Sequence, residues 1–90
     1  NKWINYDKLL ELIYNNGTIV TRVGDTVASN NKLADLARIN NFLRMDKNVI
    51  ADGFKVLNHL GIITSKGSKR IVEVDYEVAK EVLKDYFNIV

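Results

Sequence analysis

Residues 49–75 read VIADGFKVLNHLGIITSKGSKRIVEVD, and two periodicities in this stretch decide the fold. Its first half places Ile50, Phe54, Leu57 and Leu60 three or four residues apart, the spacing that gathers side chains on one face of a helix. Asn48, Ala51, Asp52, Lys55, Asn58 and His59 fall on or near the opposite face, Asp46 stands where an N-cap belongs, and Gly61 ends the helix. Gly53 lies inside it at a propensity cost of about 1 kcal/mol, which implies a close crossing, expected from the preceding helix. The second half changes period. Ile62-Ile63-Thr64 and Ile71-Val72-Glu73-Val74 favour extended chain, and Ser65, Lys66, Gly67, Ser68, Lys69 and Arg70 lie between them, so a hairpin with a basic tip is expected. Alternation sends Ile71 and Glu73 to one face and Val72 and Val74 to the other.

Working outward, Leu33, Leu36, Ala37 and Ile39 form a short second helix capped by Ser29, Asn30 or Asn31 and weakened at Asn40-Asn41. Phe42, Leu43 and Met45 either extend it by a turn or belong to the connection. Before it, residues 18–23 read TIVTRV, a β-branched stretch expected as a short strand, followed by a turn at Gly24-Asp25 and a loop over residues 26–28. Trp3, Tyr6, Leu9, Leu10 and Ile13 mark a first helix that closes at Asn15, Asn16 and Gly17. Downstream, Asp75 caps a last helix from Tyr76 to about Phe87, with Val78, Ala79, Val82, Leu83, Tyr86 and Phe87 apolar. The order is helix, strand, helix, helix, strand, basic turn, strand, helix, an α+β and mainly helical arrangement in one domain over residues 1–90.

Ninety residues, 47% of them hydrophobic, suffice for one modest core. No window approaches the roughly 18 uninterrupted apolar residues of a membrane span, and the N-terminal stretch has no basic region leading into an apolar run, so a soluble, intracellular and cytoplasmic protein is expected. The absence of cysteine removes disulfides and thiolate chemistry, and His59 is the single histidine, so no metal or other cofactor is expected. The glycines at 17, 24, 53, 61 and 67 are too dispersed for a phosphate loop, and Ser29, Ser65 and Ser68 lack the setting of a nucleophile. Catalysis and a small-molecule ligand are therefore not expected. Thirteen basic against eleven acidic residues give a net charge of only +2. Residues 1–31 are neutral, residues 32–70 carry a surplus of five positive charges, and residues 71–90 a deficit of three. A basic middle flanked by a neutral and an acidic end points to one face meeting an anionic partner, or to a scattered surface excess.

This order, with LADLA at residues 33–37 and VIADGFKVLNHLGII at residues 49–63, resembles the winged-helix family of helix-turn-helix DNA-binding domains. The likeness covers almost the whole chain. The connection from Ala37 to Ile50, and the stretch from residue 23 to residue 30, are longer than is usual in the family. The resemblance implies double-stranded DNA as partner, with the third helix in the major groove. Asn48, Ala51 and Lys55, with Asp52 and Asn58 beside them, then face base edges, where Asn suits adenine, Lys guanine and Ala a thymine methyl, while Asp52 repels phosphate. Lys66, Gly67, Ser68, Lys69 and Arg70 form a wing on the phosphate backbone or minor groove, and Arg44 and Lys47 add charge where the third helix begins. Arg22 and Arg38 either join this surface or, for Arg38, pair with Asp35. Six of the eight aromatics sit on the first and last helices, so Trp3, Tyr6, Val82 and Tyr86 are candidates for a homodimer seam, unless these helices simply close the core. The expected role is a small transcriptional regulator. The alternatives are a module of a larger replication or partition protein, which Asn1 in place of a start methionine leaves open, and a winged-helix interaction module that binds no DNA.

Overall fold

Four amphipathic helices and a β-hairpin bury their apolar faces against one another in a computed structural model that describes residues 2–16, 19–39 and 45–88. Helix α1 (Lys2–Tyr14) supplies Leu9, Leu10, Leu12, Ile13 and Tyr14 to the core and packs against each of the other three helices. Helix α2 (Asn30–Ile39) buries Leu33, Ala34 and Ala37, and of its three candidate caps Ser29 accepts the Lys32 N–H at 3.3 Å. Helix α3 (Lys47–His59) buries Ile50, Phe54 and Leu57 as the spacing requires. Asp46 caps it by accepting from the Asn48 and Val49 N–H groups, each at 2.9 Å. At its other end Gly61 (φ 78) donates to the Asn58 carbonyl and Ile62 to the Leu57 carbonyl, the paired bonds of a Schellman motif. Helix α4 (Tyr76–Tyr86), capped by Asp75 through the Val78 N–H, lays Ala79 and Leu83 against α1. No described helix is long and apolar enough to cross a membrane.

The close approach at Gly53 comes from α1, not from the preceding helix: a Cβ at this position would run into Leu9 Cδ2, with the Tyr6 ring 3.6 Å away. The apolar face of α1 crosses α3 at that point, so a side chain here would have to displace Leu9.

Of the extended stretch expected over residues 18–23, Thr18 lies outside the described residues and residues 21–23 fall beyond the strand. Strands β1 (Asn15–Asn16) and β2 (Ile19–Val20) form a two-residue antiparallel ladder in which Asn15 faces Val20. Next to the ladder Thr21 holds the end of α1, its N–H bonding the Tyr14 carbonyl at 2.9 Å in the same register and its hydroxyl the Ile13 carbonyl at 2.5 Å. Asp25 then accepts from the Arg22 N–H at 2.8 Å and tightens the turn.

The hairpin differs in the opposite sense. Strands β3 (Ile63–Lys66) and β4 (Lys69–Val72) pair antiparallel with Ile63 facing Val72, Ser65 facing Arg70 and Lys66 facing Lys69. The turn is Gly67-Ser68 alone rather than six residues, with Gly67 at φ 62, a backbone state that a side chain disfavours. Residues 24–27 lie along the far edge of β4, through Gly24 N–H to Val72 O at 2.8 Å, Val72 N–H to Asp25 O at 3.0 Å and Val27 N–H to Arg70 O at 2.9 Å. Thr26 bridges Ile71 in the same register. The hairpin is thereby fastened between α3 and the chain entering α2.

Candidate nucleic-acid interface

The apolar face of α3 is in the core, so its opposite face is presented outward. Lys47, Asn48, Asp52, Lys55, Asn58 and His59 are exposed and Ala51 is half-buried. Lys55 reaches Asp52 only at 3.9 Å with both side chains open to solvent, a pairing of little energetic weight. Lys47 lies beside a second groove with Asn31, Ala34, Asp35, Arg38 and Asp46. There Arg38 bonds Asp35 at 3.0 Å, the intrahelical choice among its two expected roles. The N-terminus of α3 is not an open seat for phosphate, because the Asp46 carboxylate already takes two of its N–H groups. Arg44 lies outside the described residues, as do Phe42 and Leu43.

The hairpin does not carry its three cations together. Strand alternation puts Lys66 and Lys69 on one face with Thr64 and Ile71, and Arg70 on the other face with Ser65, Ile63 and Val72, the face that meets α3. Lys66, Ser68 and Lys69 are exposed. Arg70 is half-buried: its Cζ sits 3.9 Å from the centre of the Phe54 ring, and Nη1 donates to Asn30 Oδ1 at 2.6 Å. Burial pulls its pKa below the ordinary guanidinium value, yet the group stays cationic at any physiological pH. Between α3 and the hairpin is a groove of about 270 Å³ lined by Ala51, Phe54, Lys55, Asn58, Ile63, Ser65 and Arg70. It joins four of the residues singled out from sequence as facing DNA, Ala51, Lys55, Asn58 and Arg70.

Two participants escaped the sequence. Phe54 reads only as core, yet its ring supports Arg70; Asn30 reads as a cap, yet its amide oxygen holds the guanidinium. The 40-residue separation between Asn30 and Arg70 leaves no local pattern to find.

Tyr6 stacks on Phe87 within the same chain at 5.2 Å, and Tyr86 meets Phe87 edge-on at 5.0 Å. Val82 is half-buried, Tyr86 is exposed, and the side chain of Trp3 lies outside the described residues. The Tyr6–Phe87 stack thus joins α1 to the end of α4, where Lys80 Nζ also lies 3.8 Å from Asp7 Oδ1. Compared with protein-family models, curated proteins and solved structures, the chain matches none.

Proposed function

We propose that this protein binds double-stranded DNA as a winged helix-turn-helix module, most simply a small transcriptional regulator. Helix α3 enters the major groove and the β3–β4 hairpin acts as the wing on the backbone or minor groove. The observation that carries the reading is the groove in which the exposed face of α3, through Ala51, Lys55 and Asn58, meets Ser65 and Arg70 of a hairpin bearing further cations. A helix fits the major groove, about 12 Å wide, and Asn48, Ala51 and Lys55 are the side chains on this face suited to base edges. The Lys66 and Lys69 pair adds support, since like charges directly opposed across two strands are unfavourable until an anion lies between them.

Anisotropy titration of a random-sequence duplex from 50 to 200 mM salt tests the reading. Binding should weaken steeply with salt, and replacing Lys66 and Lys69 by Ala should reduce the log–log slope by about 0.9 for each phosphate that is no longer neutralised. Absence of binding at low salt sinks it. A homodimer through α1 and α4 is a secondary proposal supported by Ile4, Val78 and Tyr86, which stay exposed on these helices. Sedimentation as a monomer at every concentration, with and without duplex, removes it.

A further inference from the structure

Among the described residues, no carboxylate forms an ion pair with Arg70. Every Asp and Glu of the sequence lies among the described residues, and the pairs are Lys8–Glu11, Arg38–Asp35, Lys55–Asp52 and Lys80–Asp7. One N–H goes to a neutral amide oxygen and one flat face goes to the Phe54 ring. Removal of a charge from water without an opposite charge is unfavourable, and the lowered pKa of Arg70 reports that desolvation. A side chain serving only to hold the hairpin against α3 needs no charge. What the clamp does achieve is to fix a planar fork of donors at the wall of a groove, next to the Ser65 hydroxyl directly across the strand and with Lys55 on the facing helix. Such a fork matches two oxygens of a phosphate, and a neighbouring hydroxyl and ammonium supply the third and fourth donors.

We infer that Arg70, Ser65 and Lys55 form a seat for one phosphate group in the groove between α3 and the hairpin. The inference rests on the DNA reading above for its occupant, a backbone phosphodiester; free phosphate is the other source of the same chemistry. The seat is distinct from the hairpin tip, because Lys66 and Lys69 lie on the opposite strand face. Asn30 and Phe54 are its positioning residues: they touch the guanidinium and not the anion.

The test follows the Arg70 Nε–H resonance of the full chain by NMR while inorganic phosphate, and separately a random duplex, is added. Salt titrations of duplex binding by Arg70→Gln and Asn30→Ala run alongside. The seat requires that duplex move the Arg70 Nε–H resonance, that Arg70→Gln lower the log–log salt slope by about 0.9, one phosphate, and that Asn30→Ala weaken binding with the slope unchanged. If Arg70→Gln does not fold, the wild-type resonance alone decides. Duplex binding that leaves both the resonance and the Arg70→Gln slope untouched overturns the seat while the DNA reading survives. A saturable shift with inorganic phosphate, without any duplex binding, supports the seat and removes the DNA reading. A resonance that neither ligand moves overturns the inference.

Discussion

Tyr14 carries its hydroxyl to the Val74 carbonyl at 2.7 Å, joining the end of α1 to the chain that leads from the hairpin into α4. Burial, and secondarily the negative charge of Asp75, push its pKa from 10.0 to about 12. A raised pKa means that the folded chain favours the protonated phenol, so the associated stability is complete below pH 10 and is lost as pH rises toward 12. Tyr14→Phe should cost about 1 kcal/mol at neutral pH, by orphaning the Val74 carbonyl, and should flatten the alkaline decline. Urea melts at pH 7, 10 and 11 check both effects; an unaltered alkaline slope refutes the assignment. Gly53 supplies a second case. Gly53→Ala gains helix propensity of about 1 kcal/mol but drives a methyl into Leu9, which is fully buried, so net destabilisation is expected. In a Leu9→Ala background the collision disappears, and the double variant should exceed additivity by roughly 1 kcal/mol or more. The sequence makes the anomaly at Gly53 visible through its propensity cost, but not which helix causes it, since α1 and α3 meet only in the folded chain.

At the scale of elements, the four helices are legible because each joins three-or-four spacing to a stop or a capping side chain, with Asp46 and Asp75 bonding as their positions imply. The extended segments are less legible, because their extent is set by hydrogen bonds to other parts of the chain. Residues 19–23 have strand composition but pair only with the short stretch that follows α1, whereas Ser65, Lys66, Lys69 and Arg70 have turn composition but are drawn into the ladder by a two-residue turn. That difference reshapes the candidate site, since a ladder alternates faces and a loose tip does not. It also makes the Lys66–Lys69 pair a local liability. Lys69→Glu should therefore stabilise the free protein by about 0.2–1 kcal/mol, through an opposite-charge pair, while weakening duplex binding. Thermal melts and anisotropy on the same variant measure the two signs; a change in the same direction for both contradicts the proposed role of the pair.

For the whole molecule, the charge asymmetry visible along the sequence becomes a spatial one through the position of α1. The acidic α4 packs on α1, which also meets α2 and α3, and the outward face of α3 belongs to the candidate interface. Glu77, Glu81 and Asp85 are exposed. The molecule measures 30 × 30 × 25 Å, so opposite faces lie two to three screening lengths apart at 0.1 M salt, where that length is about 10 Å, and within one at 0.01 M, where it is about 30 Å. Neutralising the three acids as Glu77→Gln, Glu81→Gln and Asp85→Asn should then speed duplex association at 0.01 M and leave it unchanged at 0.15 M. The log–log salt slope of the affinity should stay that of the wild type, because no new phosphate is engaged and no further counterion released. Stopped-flow association at the two salt concentrations separates a distant field from a direct touch. An acceleration that persists at 0.15 M, or a steeper slope, places α4 against the DNA and removes α3 and the hairpin as the sole interface.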